Sequence, residues 1–360
     1  MSSTARHTTD EPAPSLEDMP LVHRPLPRWA PYASVGVAAV IAAGVLAVLG
    51  FGPVRFVLLT LVLFAVTLYA ASRTVEGGRK ATDRLVTIVV AAAFAVAMLP
   101  LVSLLWTVID NGIARFDAEL FTSDMRGVVG PGGGVLHAIV GTGLITGAAT
   151  IVSVPVGLMC AVYLVEYGRG RLAKAVTFLV DVMTGIPSVV AGLFAYVLFV
   201  LFFGPGVRLG IAGSLALSVL MIPVVIRSAE EMLKLVPNEL REAAYALGVP
   251  KWRTVVKVVL PTAAAGIATG ITLAIARVIG ETAPLLLVAG FTSTTNWDLT
   301  DGRMMTLPVF AYYSYTQPGF PPEAGQQRAW AAALVLIIIV MGLNLSARVI
   351  ARFFSPKTGR

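Results

Sequence analysis

The chain has 360 residues, of which 57% are apolar and only 13% are charged, with a formal net charge of +7. Soluble domains carry about a quarter charged residues, so this composition excludes a disordered, a fibrous and an ordinary soluble protein and indicates an integral membrane protein. In so apolar a chain the positive charge is typical of basic cytoplasmic loops, and no nucleic-acid partner is predicted.

The first 31 residues contain six prolines and four acidic residues. They lack the basic start, apolar centre and small-residue cleavage site of a signal peptide. Their composition is instead typical of disorder. We therefore predict a disordered cytoplasmic tail over residues 1–31.

Eight stretches without Asp, Glu, Lys or Arg predict transmembrane helices, since a span needs about 20 apolar residues. They lie at 29–54, 56–72, 85–109, 137–163, 182–207, 209–226, 258–276 and 329–347. The fifth is expected to start near residue 175, across Asp181, and the seventh to continue to about residue 290 through Arg277 and Glu281. The predicted fold class is an all-α integral membrane protein with eight transmembrane helices, because outer-membrane strands would show alternating hydropathy instead.

Lys and Arg are concentrated in alternate loops. The basic loops follow the second, fourth, sixth and eighth spans, and they contain Arg73, Arg79, Lys80 and Arg84, then Arg169, Arg171 and Lys174, then Arg227, Lys234, Arg241, Lys251, Arg253 and Lys257, then Arg348, Arg352, Lys357 and Arg360. The loops at 110–134 and 292–328 have only two arginines each. By the positive-inside rule, both termini are predicted to be cytoplasmic.

Motifs for nucleotide, metal and disulfide chemistry are absent from the sequence. It contains no G-x-x-x-x-G-K-[ST] phosphate loop, so it does not bind ATP by that route. Its three histidines are scattered, without an H-E-x-x-H pair, and its single cysteine excludes a cysteine-based metal cage. No catalytic residue, metal site or cofactor is predicted.

The cytoplasmic segment 228–258, here called the elbow, carries an unusual pattern of helix boundaries. Pro237 and Asn238, followed by acidic residues, predict a helix start. Gly248 predicts its end, because a left-handed cap favours a residue without Cβ, and Pro250 is suited to begin another helix. A solvated connector would explain the charges of this segment but not its small alanines. Two short helices around a tight glycine turn suit insertion into a partner's groove.

The elbow resembles the coupling loop of ABC importer permeases. The signature of that family is Glu-Ala-Ala, three residues, Gly, nine residues and Ile-x-Leu-Pro; its positions are filled here by Glu242, Ala243, Ala244, Gly248, Leu260 and Pro261, with Val258 in place of Ile. The resemblance implies that the elbow docks on a separate cytoplasmic ATPase subunit, which would account for the missing phosphate loop.

Arg277 and Glu281 are charged residues inside the predicted seventh span. An arginine at membrane depth costs about 2.5–3.5 kcal/mol on insertion scales, so a functional role is expected. On a continuous helix, residues four apart share a face and could pair. The alternative is a neutralised ion pair that only holds helices together.

The segment from Ala276 to Pro284 resembles phosphate ABC importer permeases of the PstA type. The resemblance covers residues 84–354 as a six-helix permease core and leaves two extra helices at 32–72. It implies a non-enzymatic membrane subunit of an ATP-driven phosphate importer in the bacterial cell membrane, with Arg227 and Arg277 tied to phosphate movement. The implied partners are a second homologous permease, two ATPase subunits, an extracytoplasmic phosphate-binding protein and the lipid bilayer.

Other interpretations stay open on the sequence alone. The permease could carry another oxyanion, such as phosphonate, molybdate or sulfate. A secondary transporter or an intramembrane enzyme would need no ATPase and no elbow. Arg227 could be an ordinary positive-inside anchor.

Overall fold

The computed structural model describes residues 26, 27, 29–50 and 52–354, and these form helices but no strand. Residues 1–25, which make up most of the predicted tail, lie outside the described residues. The chain divides into two compact units, one up to Leu105 and the other from Trp106 onward. The prediction of an all-α membrane fold is confirmed.

The helices, in chain order, are α1 (Ala30–Leu49), α2 (Pro53–Val75), α3 (Gly78–Gly112), α4 (Ala118–Thr122), α5 (Leu136–Val162), α6 (Gly170–Thr184), α7 (Ser188–Phe203), α8 (Gly210–Lys234), α9 (Asn238–Ala246), α10 (Lys251–Thr254), α11 (Leu260–Val278), α12 (Ala283–Val288), α13 (Leu307–Thr316) and α14 (Pro322–Phe354). A 3-10 turn, Ile113–Arg115, follows α3. Two π-helical segments, Tyr163–Tyr167 and Val255–Val259, extend α5 and join α10 to α11.

Seven of the helices in the described part of the chain are long and apolar enough to cross a membrane. The pair α6 and α7 passes the same test together but is bent by 105° at its break. Pro187 accounts for the break, because a proline disfavours helical backbone at the residue before it. The predicted count of eight spans therefore depends on counting this bent pair as one span.

The predicted extension of the seventh span to about residue 290 is wrong. Helix α11 ends at Val278, and Glu281 lies in the break before α12 begins at Ala283. Pro284 stands in the first turn of α12. It has no N–H to donate to the carbonyl of Gly280, and it fits the start of a new helix better than the interior of an old one.

The unit up to Leu105 contains α1, α2 and most of α3, and α1 packs against α2. Glu76, in the turn between α2 and α3, accepts hydrogen bonds from the Arg84 side chain at 2.7 and 2.8 Å and from Ser72 at 2.7 Å. The Arg84 guanidinium lowers the pKa of the Glu76 carboxyl to about 2. The carboxylate is therefore charged at neutral pH and fixes the turn.

The core of the unit from Trp106 onward is centred on α5 and α8, which make the most extensive helix contact in the structure. Ile145, Leu217 and Met221 are fully buried there. Helix α11 also packs against α8, and Gly270 faces Ser228 so closely that a Cβ would collide with its hydroxyl. This close approach places the C-terminal end of α11 beside α8.

Candidate functional site

The elbow has the local structure that its sequence predicts. Helix α9 ends before Gly248, whose φ of +76° lies in the left-handed region. The N–H of Val249 donates to the carbonyl of Ala244 at 3.1 Å, and the N–H of Gly248 donates to that of Tyr245 at 2.9 Å. The hydrogen bond from Val249 to Ala244 spans six residues, as in a Schellman cap. Helix α10 then begins directly after Pro250.

The residues matching the family signature fall into two groups. Glu242, Ala243 and Gly248 are exposed together on the elbow, and Ala244 is buried beneath them. Leu260 and Pro261 lie at the start of α11, in a helix that runs continuously from Lys251 to Val278. The π-helical segment ends at Val259, two residues before Pro261, and Pro261 stands in the first turn of α11, where a residue without a backbone N–H is tolerated.

Arg241 anchors the elbow, and the sequence did not identify it. Its Nε donates to Oε1 of Glu166 at 3.0 Å, and its two terminal nitrogens donate to the carbonyls of Val236 at 2.6 Å and Leu233 at 3.0 Å. The guanidinium thus binds carbonyls around the end of α8 and Glu166 of the π-helical segment that extends α5. In the sequence, this contact could have been suspected only from Glu166, the charged residue that ends a long uncharged stretch.

We expect Arg241→Met to destabilise the protein strongly. The side chains of Arg241 and Glu166 are only 12% and 5% exposed, and removing one partner of a buried pair costs about 3–5 kcal/mol because the other charge stays buried. The double variant Arg241→Met with Glu166→Leu should recover part of that loss. Thermal unfolding of the purified protein measures both.

Arg253→Met is the matched control, because Arg253 is exposed and stacks on Trp252. Equal stability of Arg241→Met and Arg253→Met would contradict the anchoring role of Arg241.

Arg227 lies within α8, two turns before its end, and is bound by two carboxylates. It forms ion pairs with Asp181 of α6 and with Glu230 at 2.8 Å. Glu230 also binds Lys234 at 2.7 Å. The positive charge of Arg227 is thus neutralised in this conformation, and the pair with Asp181 connects α6 to α8.

Arg277 and Glu281 line one cavity of about 180 Å³ between α6, α7, α8 and α11. Its other lining residues are Met183, Thr184, Ile186, Ser188, Leu220, Pro223, Val224 and Val278. Arg277 is exposed and Glu281 is half-buried. The described residues show no ion pair between them, because the break after α11 removes the helical geometry that would have set them on one face.

Two breaks in the helical backbone meet at this cavity. Ile186 belongs to the bend between α6 and α7, and Glu281 belongs to the break between α11 and α12. At membrane depth, non-helical backbone is tolerated where it lines a cavity, because its polar groups need other partners. Of the three predicted pathway residues, the structure brings Arg277 and Glu281 together and leaves Arg227 outside the lining.

Residues 153–360 match the family described as binding-protein-dependent transport system inner membrane component. The chain is 49% identical over 271 residues to the phosphate transport system permease protein PstA 1 of Mycobacterium tuberculosis strain H37Rv, covering 74% of this chain and 86% of that protein. It is 46% identical to the phosphate transport system permease protein PstA of Mycobacterium leprae, covering 76% of this chain and 90% of that protein.

A solved structure shares the fold. It is a crystal structure of a bacterial alginate ABC transporter in complex with an alginate pentasaccharide-bound periplasmic protein. One of its chains aligns with 78% of this chain and 97% of its own length, with a TM-score of 0.54 and 15% sequence identity. At this identity the likeness concerns the arrangement of helices alone.

Proposed function

The chain belongs to the family of binding-protein-dependent inner membrane permeases of the PstA type, and on this premise we propose how its geometry serves phosphate import. It is a multi-pass permease subunit of a bacterial ABC importer for phosphate, and it is not itself an enzyme, because ATP is hydrolysed by a separate subunit. The 49% identity to a phosphate permease over most of both chains is the observation that carries this function.

The assembled importer would contain this chain, a second homologous permease, two ATPase subunits and an extracytoplasmic phosphate-binding protein. The elbow supplies the contact with one ATPase subunit. Leu247 is 83% exposed beside the exposed Glu242 and Ala243. An exposed apolar side chain on a short amphipathic helix suits a groove on a partner. Through the Arg241–Glu166 pair, a displacement of the elbow would act directly on α5 and α8.

The substrate pathway of this subunit would pass the cavity of Arg277 and Glu281. Arg277 has no carboxylate partner among the described residues, and its planar guanidinium matches two phosphate oxygens. Glu281 moderates the positive potential, so that the anion is not held too tightly to leave. Arg227 contributes only when an oxyanion competes with Asp181 and Glu230 for its guanidinium.

Residues 84–354 would form the six-helix permease core, counting the bent pair α6 and α7 as one span. The two extra helices at 32–72 would precede this core along the chain. Both termini and the elbow would be cytoplasmic, with the 110–134 and 292–328 loops outside.

We expect this topology to be visible in thiol labelling of intact cells. In a Cys160→Ala background, thiols introduced by Val129→Cys and Thr300→Cys should react with an impermeant reagent added outside, because both positions are exposed. Thiols introduced by Leu172→Cys and Leu247→Cys, also exposed, should react only after permeabilisation. Labelling at Leu247→Cys in intact cells would overturn the proposed orientation.

The proposed substrate is tested by uptake of radiolabelled phosphate in cells that depend on this importer. Competition with phosphonate, molybdate and sulfate separates phosphate from the other oxyanions. If cells without the chain keep phosphate uptake but lose molybdate or sulfate uptake, the substrate is that other oxyanion and not phosphate.

A further inference from the structure

A second and larger cavity lies among the loops that the proposed topology places outside. It has a volume of about 420 Å³ and shares no lining residue with the cavity of Arg277. At about 30 Å³ for each water molecule, it has room for roughly a dozen waters. Its polar lining side chains include His137, Ser293, Tyr313, Ser314, Gln317 and Arg328. It is therefore large enough for a hydrated small anion.

Arg328 is a buried cation at this cavity. It is only 7% exposed, and one terminal nitrogen, Nη1, donates to the carbonyls of Gly130 at 2.7 Å and Gly132 at 3.0 Å. In the described part of the chain it has no carboxylate partner, and its Nε and Nη2 have no hydrogen-bond acceptor. Burial of an unpaired charge is costly. The Nε and Nη2 edge is the fork with which a guanidinium binds an oxyanion through two hydrogen bonds.

His137 is a second buried polar side chain in the same lining. It is 1% exposed, and neither ring nitrogen has a hydrogen-bond partner among the described residues. Its ring meets that of Phe310 edge to face at 5.2 Å. A neutral imidazole offers one donor and one acceptor, and monohydrogen phosphate can complement both, since it carries both bare oxygens and a hydroxyl.

Asp124 is the carboxylate next to Met125, which lines this cavity. It already accepts hydrogen bonds from the backbone N–H of Arg126 and from the backbone and hydroxyl of Thr295. The Arg126 N–H lowers the pKa of Asp124, and the bonds from Thr295 add to this effect against the opposing effect of burial. Asp124 is thus bound by these donors and, among the described residues, forms no ion pair with Arg328.

We propose that this cavity is an outer oxyanion site that receives phosphate before it reaches Arg277, with the Nε and Nη2 edge of Arg328 and the ring of His137 as its ligands. The inference rests on the proposed function, because it adds a site to the same route. The alternative is that Arg328 serves only to clamp the glycine-rich loop through Gly130 and Gly132. The same chemistry would also fit the phosphate of a lipid headgroup.

The test is protection of a thiol in the cavity. In a Cys160→Ala background, Ser314→Cys places a reactive group in the lining, and Gln326→Cys is the matched control on an exposed position outside it. Right-side-out vesicles containing the assembled importer are treated with an anionic, impermeant thiol reagent, with and without inorganic phosphate. Phosphate should slow modification at Ser314→Cys about threefold or more, sulfate should slow it less, and neither should affect Gln326→Cys.

Arg328→Gln added to Ser314→Cys should remove the protection. Unchanged protection in Arg328→Gln, or none in the parent, would overturn the site. Protection that depends on phosphatidylglycerol in the vesicles and not on added phosphate would overturn the free-anion site in favour of a lipid headgroup. Phosphate uptake by the same vesicles is measured in parallel, so that uptake without protection refutes only the outer site, whereas absence of uptake refutes the proposed function.

His137→Leu separates binding from structure. Because the ring nitrogens are buried without partners, replacing them with an apolar side chain should keep or raise the melting temperature. Under the proposal the same variant weakens phosphate protection at Ser314→Cys. Full protection in a stable His137→Leu variant would exclude His137 from the site.

Discussion

Gly248→Val is expected to abolish phosphate uptake while the protein still inserts into the membrane. A Cβ in the left-handed region costs about 1–2 kcal/mol, and a branched side chain is strained further. Apart from its two chain neighbours, no residue has an atom within 4 Å of the position a Cβ would take at Gly248, so the cost falls on the backbone of the turn and not on packing. To relieve it, the Schellman cap must open, which changes the angle between α9 and α10 and hence the surface offered to the ATPase.

Gly204→Val is the matched control for this prediction. Gly204 ends α7 with a φ of +90° and a ψ of 170°, a region that essentially only glycine adopts, and it also has open space around it. A valine there is strained at least as much as at Gly248, but the strain falls far from the elbow in sequence. Glu242→Lys provides the complementary test, because it alters the exposed face of the elbow without straining the turn. Uptake and co-purification of the ATPase should be lost in Gly248→Val and Glu242→Lys and retained in Gly204→Val. Normal transport by Gly248→Val with its ATPase bound would refute the coupling role.

The features that could be predicted from the sequence are those set by neighbouring residues. Apolar stretches predicted the spans because helices in lipid must satisfy their own backbone hydrogen bonds. Pro237, Gly248 and Pro250 predicted the elbow because each restricts its own backbone or favours a single conformation there. These constraints act within one helical turn, so no knowledge of the tertiary structure was needed.

The features that could not be predicted depend on pairs distant in sequence. Arg241 binds Glu166 from 75 positions away, and Arg227 binds Asp181 from 46 positions away. The break after Val278 was misjudged because hydropathy stays high across it, although Pro284 marked a boundary. The outer cavity gathers residues from α5, α13, α14 and three loops, and no spacing in the sequence indicates that His137 and Arg328 share it.

Arg277 and Glu281 line the same cavity, but the described residues show no ion pair between them, and this bears on a purely structural role. If the two residues formed an ion pair that holds helices together, each single substitution would lower the abundance of the protein. The exchange Arg277→Glu with Glu281→Arg would then restore both abundance and transport. Among the described residues, Arg277 and Glu281 form no ion pair with each other, and both side chains line the cavity. We therefore expect the exchange to leave abundance near normal and transport defective.

Arg277→Gln should slow phosphate uptake at least about tenfold without loss of the protein from the membrane. Glutamine keeps a polar side chain in the cavity but removes the charge and the bidentate donor edge. A hydrogen bond to a charged group contributes about 1.5–3 kcal/mol, so its loss at the step of highest energy slows transport roughly 10- to 100-fold. Because Arg277 is exposed at the cavity, this change leaves no unpaired charge buried and should hardly affect folding.

Arg79→Gln, at an exposed arginine in the other unit, is the control for removing one positive charge. The measurement is the initial rate of radiolabelled phosphate uptake, normalised to the amount of protein in the membrane. A wild-type rate in Arg277→Gln would show that this arginine is not part of the pathway. A rate that falls in Arg277→Gln and not in Arg79→Gln assigns the effect to the charge in the cavity.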